Sequence, residues 1–371
     1  MRGAAPAVLA FGLLAGLAAC ASAPRSPGLS GPVERRVSVM GTMLEITVEA
    51  EDRARGLAAS ESAVQALEAA EARLSTWRYD TELARLNRAP AGEPQPLSPA
   101  LAADLAGARR CWEETGGAFD PAVGPLVQAW DLRGTGRRPA ADELRSAVAA
   151  SDFGGFRLED GTAVRERPDL LLEEGGFGKG AGLADALRAL AANPGVRRAA
   201  LDLGGQVALF DRSAAEGKPE PWTVPVADPR RRERDVVALS VPGGSVSTSG
   251  NSERGIRVDG ERLGHILDPR NGEPVPDFGS LTVWTSDPLA ADCLSTGLYV
   301  MGPEPALAWA AAHPGVEVLV LRPRGERLEA LASPGLRGRL ARLARGVDIR
   351  FIEGSGVSDA STGQTKPRSG G

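Results

Sequence analysis

The chain of 371 residues carries a formal net charge of −5 and is 42% hydrophobic and 25% charged. These are values of an ordinary folded protein, long enough to bury a full core as two domains or one large one. The acidic balance, with no lysine and arginine block interleaved with aromatic residues, argues against a nucleic-acid partner, and neither DNA nor RNA is expected.

Residues 1–20 read as a targeting segment. Arg2 is a short basic start, Val8 to Ala19 an apolar run, and Leu17-Ala18-Ala19-Cys20 a small-residue cleavage site ending in cysteine. The run is too short to span a membrane. This stretch resembles the lipobox of bacterial lipoproteins, which implies a lipidated Cys20 at the mature N-terminus; an ordinary signal peptide is the alternative. Residues 21–36 then form a flexible tether, rich in Pro, Ser and Gly between Ser22 and Pro32. Ala21 gives no inner-membrane retention signal, so the expectation is a lipid anchor in the outer membrane, with the protein facing the periplasm.

From Val37 the chain alternates, with Val37 and Val39 on odd positions and Leu44, Ile46 and Val48 on even ones. A bulge or turn at Met40-Gly41-Thr42 must absorb the change of phase. Leu57, Val64, Leu67 and Leu74 place a helix over 56–74. Ser75 or Asp80 can cap the segment after it, and Trp77 or Tyr79 is either core or a lid that stacks on a flat ring. Past a proline-rich connection over 89–99, a second helix runs to Glu114 and stops at Gly116-Gly117. Asp120-Pro121 and Gly124-Pro125 mark turns, and residues 131–140 form a polar, mobile stretch.

Residues 170–187 then combine an apolar run, the glycines Gly175, Gly176, Gly178, Gly180 and Gly182 around Phe177, Lys179 and Ala181, and a helix carrying Leu183, Leu187 and Leu190. Bare backbone, a helix start and Lys179 suit a phosphate or diphosphate; a glycine-rich turn with a solvated lysine is the competing reading. The spacing matches neither the Walker pattern nor the dinucleotide fingerprint.

Strands follow over Ala199–Phe210, broken at Gly204-Gly205, and over Trp222–Val226 and Val236–Val241. Ser245–Gly250 is a run of small hydroxyl residues that can hold phosphate or ribose oxygens, or simply turn. Asp259-Gly260 and Asn271-Gly272 are hairpin signals flanking His265. A strand over Leu281–Thr285 leads into a helix over 288–300, and residues 303–352 add a helix, a strand pair and a final strand. Residues 353–371 are a disordered tail of Ser, Gly and charge. Irregular interleaving of strands and helices, with several hairpins, favours an α+β fold over a doubly wound sheet. Cys111 and Cys293, both in apolar helix-like segments, read as buried free thiols.

Two constellations can carry chemistry. Asp292 and Thr296, four apart on one helix, offer hard oxygens suited to Mg²⁺ or Ca²⁺, although a first-turn charge and a back-bonded hydroxyl are the commoner explanation of such a pair. His265, beside Asp268, Arg270 and the hydroxyl run, is either a half-buried side chain or a polar contact to a ligand. No nucleophile elbow, zinc-type histidine pair or cysteine–histidine pattern is found, which removes the commoner hydrolases.

Taken together, several stretches in one order from about residue 37 to 320 resemble the ApbE family of FAD:protein FMN transferases. They are Met40-Gly41-Thr42; Leu74-Ser75-Thr76-Trp77 on to Leu86-Asn87; Ala118-Phe119-Asp120-Pro121 with Val123-Gly124-Pro125-Leu126; and Gly175-Gly176-Phe177-Gly178-Lys179-Gly180. Further along come Leu203-Gly204-Gly205; Ser247-Thr248-Ser249-Gly250; His265 to Pro269 with Gly272; and Ala291-Asp292 through Ser295-Thr296-Gly297.

The resemblance implies an exported lipoprotein whose α+β, T-fold-like domain of mixed sheets with flanking helices spans 37–352. It implies binding of FAD and Mg²⁺, and transfer of FMN onto a threonine or serine of an exported acceptor protein with release of AMP. By position, Met40, Trp77, Ala118, Phe119, Asp120, Glu173, Lys179, His265 and Ile266 would meet FAD. Asp292, Thr296 and a backbone carbonyl of Gly176 would hold the metal, and Asp292 or His265 would help deprotonate the acceptor hydroxyl. The chain departs from the pattern at Glu173 (usually aspartate), Gly176 and Gly178 (alanine or serine), Trp77 (tyrosine), Ser252 (an aromatic) and Gly264 (serine). Glu173 keeps the charge with a longer reach, the tryptophan can still stack, and no proposed metal ligand is lost. An FAD diphosphatase and a non-catalytic FAD-binding lipoprotein are the competing functions.

Overall fold

The phase change near Gly41 needs no extra residue, because it is a chain reversal. The computed structural model describes residues 31–217, 220–251, 255–258, 260–353 and 356–358. In it β1 (Val33–Val39) pairs antiparallel with β2 (Thr42–Ala50), with Val37 opposite Leu44 and Val39 opposite Thr42. Odd and even positions therefore share a face. The turn is a plain one, with Met40 at φ 51 and Gly41 at φ 69, the left-handed pair whose twist suits a two-residue hairpin. The proposed leader and lipidated Cys20, most of the tether, Ser252 and the end of the tail lie outside the described residues.

Helix α1 (Arg53–Leu74) is capped by Asp52, which accepts from the Arg55 amide. Val64, Leu67 and Leu74 are buried, but Leu57 is 43% exposed. The buried stripe is centred on Gly56, Leu67 and Leu74, about 100° round the helix from Leu57, so Leu57 falls at its edge. Thr81, rather than Ser75 or Asp80, caps α2 (Glu82–Arg88). After β3 (Gln95–Pro96), α3 (Pro99–Glu114) starts at the Ser98 cap and ends before Gly116 and Gly117. Gly124-Pro125, expected as a turn, opens α4 (Gly124–Ala129), since proline in a first turn gives up an amide that has no helical partner. Then come α5 (Ala141–Ala150) and the hairpin of β4 (Phe156–Glu159) and β5 (Thr162–Arg165), with β3 as its third strand.

Helix α6 (Gly178–Ala191) is followed by β6 (Val196–Leu203) and β7 (Gln206–Asp211), then by β8 (Trp222–Asp228), β9 (Arg231–Val241) and β10 (Gly244–Gly250). The small hairpin β11 (Gly255–Val258) and β12 (Glu261–Gly264) precedes β13 (Ser280–Thr285), α7 (Pro288–Met301) and α8 (Pro303–Ala312). The chain closes with β14 (Glu317–Arg324), β15 (Arg327–Ala332), β16 (Leu340–Arg342), β17 (Val347–Glu353) and β18 (Gly356–Ser358).

One ten-stranded sheet, ordered β1-β2-β6-β7-β10-β13-β14-β15-β17-β18, organises this α+β fold. Its pairs are antiparallel except β15 with β17. The middle of the sheet is buried on both faces. On β14, Val318 and Val320 join the cluster under α3, α7 and α8, while Leu319 and Leu321 join the cluster under the three-stranded sheet β16-β9-β8. A separate cluster packs α1 and α6 on β2, β6 and β7. The two helical layers meet where the start of α6 crosses α7, and the glycine stretch lies at that crossing.

Candidate functional site

Three of the five glycines serve packing rather than a ligand. In α6 residues two apart point about 200° away from each other. A Cβ on Gly180 would stand 2.4 Å from the Pro288 carbonyl oxygen and 2.8 Å from Leu289 Cα, both backbone atoms at the start of α7. A Cβ on Gly182 would face the other way, 2.8 Å from Met40 Sδ and 3.0 Å from Leu67 Cδ2 of α1. Gly178 lies against Glu174 and Met40, and only Gly175 and Gly176 belong to the short 3₁₀ turn before the helix. The alternation of glycines thus lets α6 sit close to a helix on each side.

This close crossing brings Asp292 to the start of α6. Its residue is 3% exposed, one carboxylate oxygen accepts the Gly180 amide at 2.9 Å, and the other meets Lys179 Nζ at 3.1 Å. A buried carboxylate is retained here because it caps an orphan helix amide and neutralises an ammonium at once. Thr296, one turn on, returns its hydroxyl to the Asp292 carbonyl at 3.3 Å. Gly176 packs over it: a Cβ there would lie 3.5 Å from Thr296 Oγ1 and 3.1 Å from Phe119 Cε2. The fold therefore gathers Asp292, Thr296, Gly176, Lys179 and Phe119, drawn from three separate segments.

The donor set fits a hard divalent cation. It holds one carboxylate, one hydroxyl and backbone carbonyl oxygen. Among the described residues there is no group of three or more His, Cys, Asp and Glu that could hold a metal, so a zinc-type cage is not what the site offers. A single carboxylate leaves most of the cation's charge and coordination to be met by water and by phosphate oxygens of a ligand, the usual pattern for Mg²⁺.

Polar contacts to the sheet fix α7. Ser247 and Ser249, on β10, both meet the buried Ser295 hydroxyl, at 3.1 Å and 2.9 Å, and Ser295 also donates to the Asp292 carbonyl at 3.0 Å. Gln206 donates to the Pro288 carbonyl at 2.8 Å. The hydroxyl run is therefore neither a turn nor a free phosphate cradle; it is a strand whose side chains hold α7 in register. Gln206 did not stand out in the sequence, where it is a lone polar residue inside an apolar pattern.

Ala118, Phe119 and Asp120 are all buried. Asp120 accepts from the Ala122 amide at 2.7 Å, Trp112 Nε1 at 2.9 Å and the Phe153 amide at 3.1 Å. Burial pushes its carboxyl up to about 6 against these three donors. Its visible work is to fold the 118–122 turn that sets Phe119 under Gly176. A Cβ at Gly297 would stand 2.8 Å from Phe119 Cβ, so α7 also needs a glycine there.

Met40 donates its amide to Glu71 at 3.1 Å, and its side chain lies along the first turns of α6. His265 and Ile266 follow β12 in a bend rather than a strand. Ile266 is buried in the same core cluster as Phe119 and Phe177, and His265 is half-buried. Asn251 pins this segment, donating to the Val275 carbonyl at 2.7 Å and accepting from the Ile266 amide at 3.4 Å. A Cβ at Gly264 would fall 2.0 Å from Asn251 Cγ, which explains a glycine where the resemblance expects serine. Cys111 and Cys293 are free and buried between α3 and α7; burial first, and the neighbouring Cys111 next, push the Cys293 thiol well above its ordinary value.

At the outer end lie Trp77, Glu173 and a residue the sequence did not single out. Arg133, in the 131–140 stretch expected to be mobile, pairs with both oxygens of Glu173, donates to the Thr76 carbonyl at 2.9 Å, and stands 4.7 Å from the Trp77 ring centre. Thr76 in turn donates to Glu173 at 3.1 Å and, through its amide, to Glu174 at 3.1 Å. Burial and the adjacent Glu173 charge raise the Glu174 carboxyl.

The model for the ApbE family matches residues 40–320, a span containing every candidate site residue above. The chain belongs to the ApbE family. It is 32% identical over 333 residues to a Klebsiella pneumoniae protein named FAD:protein FMN transferase, covering 86% of this chain and 93% of that one. A Treponema pallidum protein of the same name is also 32% identical, over 358 residues, covering 92% and 95%. The solved structure of the flavin transferase ApbE from Vibrio cholerae superposes with a TM-score of 0.69 at 27% identity, covering 83% of this chain and 99% of that one. ApbE membership agrees with the α+β fold and with Gly176, Lys179, Asp292 and Thr296 of the family motifs meeting at one helix crossing.

Proposed function

We propose that this ApbE-family protein is an FAD:protein FMN transferase that moves the FMN half of FAD onto a threonine or serine hydroxyl of an acceptor protein and releases AMP. The observation that supports it most is the convergence of Asp292, Thr296 and Gly176 beside Lys179 at the start of α6. Asp292, Thr296 and the Gly176 carbonyl would hold Mg²⁺, which when bound neutralises charge on the diphosphate of FAD. Lys179 supplies a full positive charge for the same phosphate oxygens, and the first-turn amides of α6 supply partial ones. Met40, Trp77, the Ala118-Phe119-Asp120 turn, Glu173, His265 and Ile266 complete the FAD site, with Asp120 acting through the turn it folds.

The acceptor oxygen forms a bond to the FMN phosphorus, the bridging P–O bond breaks, and AMP leaves with the bridging oxygen. His265 receives the hydroxyl proton in this reading. Asp292 is less suited to it, because in this reading its carboxylate is committed to the cation. The leader pattern supports export and anchoring through a lipidated Cys20, with the domain facing the periplasm and the outer membrane preferred. The acceptor is then an exported protein.

Purified protein incubated with FAD and Mg²⁺, with and without an exported candidate acceptor, tests this. AMP together with an acceptor gaining the mass of FMN supports transfer. AMP without acceptor makes the protein an FAD diphosphatase, and tightly held intact FAD without AMP makes it a carrier.

A further inference from the structure

The FAD reading leaves open what sets the orientation of Trp77, the one large aromatic of the proposed site that is exposed, at 67%. Trp77 lies in the irregular link between α1 and α2, where no ladder of backbone hydrogen bonds fixes it. Side chains hold that link instead. Glu174 takes the Thr76 amide, the Thr81 hydroxyl donates to the Ser75 carbonyl at 2.7 Å, and Arg133 takes the Thr76 carbonyl. Arg133 is itself fixed by a two-oxygen pairing with Glu173, whose side chain is 14% exposed. Its guanidinium then covers one face of the indole. With one face covered and most of the residue still exposed, the other face is open, and Trp77 and Arg133 both border a cleft of about 360 Å³ that Glu173, Tyr79, Asn87 and Leu172 also line.

We infer that Arg133 is a positioning residue: anchored on Glu173, it backs the Trp77 ring so that the open indole face receives a planar heterocycle of FAD. This rests on the FAD-binding reading and extends it to a residue outside the proposed contacts. It also gives a reason for glutamate at position 173. The longer side chain reaches Arg133 while still accepting from Thr76. A ring already backed on one face loses less freedom when a ligand stacks on the other, so Arg133 contributes affinity without touching the ligand. FAD contains two planar heterocycles, the flavin and the adenine, and the chemistry of stacking is common to both.

The test is a double-mutant cycle on the full chain, read as dissociation constants for FAD, FMN and ADP in the presence of Mg²⁺. Arg133→Ala should weaken FAD by about fivefold, with the loss appearing in KM for FAD rather than in kcat. Arg133→Lys, which keeps the charge but not the planar fork, should recover only part of it. Trp77→Ala should weaken FAD at least as much, and the double variant should be no weaker than Trp77→Ala alone. A parallel loss for FMN assigns the stacked ring as the flavin; a parallel loss for ADP assigns it as the adenine. Effects that multiply in the double variant, or an Arg133→Ala protein that binds FAD like the wild type, would overturn the inference. Should Arg133→Ala fail to fold, Arg133→Gln serves in the same cycle. Wild-type protein that binds no FAD removes the underlying reading, and that outcome is seen before any variant is made.

Discussion

The two ends of the candidate site are held in place by different means. At the inner end, Asp292 is 3% exposed and fixed by a helix amide, a lysine and a hydroxyl network reaching to β10. At the outer end, Trp77 is 67% exposed and fixed by one arginine leaning on one glutamate. The inner end is a product of the core, since α6 and α7 cannot approach without Gly180, and once they do the carboxylate has nowhere else to go. The outer end is a product of two surface loops. Substitution at the inner end should therefore damage chemistry and stability together, whereas substitution at the outer end should change affinity alone.

The largest effect is expected from Asp292→Ala. Flavin transfer should fall by about 10³-fold, and a chelator should reduce the wild type in the same way while leaving the variant's residual rate unchanged. Rates with and without chelator decide this, and full activity in the variant would remove the proposed metal role. Gly180→Ala should cost about 3 kcal/mol, because its Cβ meets backbone rather than a movable side chain. Thermal unfolding measures it, and an unchanged midpoint would mean that the two helices separate easily.

Asp120→Asn sharpens the comparison through pH. The folded-state carboxyl stands at about 6, above its unfolded value, so its contribution to stability is full below about pH 4 and is lost as pH rises through 6. The advantage of the wild type over Asp120→Asn should shrink by about 2 kcal/mol between pH 4 and pH 7, as read by denaturant unfolding at the two values. An advantage that grows with pH would contradict burial as the dominant cause. The smallest effect should come from Ser295→Ala, about 1 kcal/mol, the usual net worth of neutral hydroxyl hydrogen bonds such as those Ser295 makes to Ser247, Ser249 and the Asp292 carbonyl. A loss of transfer beyond what that destabilisation explains would show that the network also tunes Asp292.

Much of the inner end was legible because its motifs are local. Asp292 and Thr296 share a helix face by spacing alone, and the glycines with Lys179 announce a helix start. What sequence could not show was that Gly180 and Gly182 serve helix packing on opposite sides, since that needs the positions of α1 and α7. At Met40-Gly41-Thr42 the sequence left a bulge and a plain hairpin turn both open, because alternation is blind to which residues pair, and the structure has the plain turn. Leu57 fits the apolar arc yet lies at its rim, since the buried face of α1 is centred on Gly56, Leu67 and Leu74, about 100° away. His265 and Ile266 lie in a bend pinned by Asn251, a contact across 15 residues that no periodicity carries. Arg133 was invisible for the same reason: a polar stretch with glycines looks mobile until its partner, 40 residues away, is placed beside it.

Manganese binding measured by electron paramagnetic resonance, in the presence of FAD, tests the central claim most directly, because Mn²⁺ takes the oxygen sites of Mg²⁺. The wild type should hold one tightly bound ion per chain that depends on FAD, and Asp292→Ala should hold none. Equal occupancy in the two proteins would contradict a metal site built on Asp292.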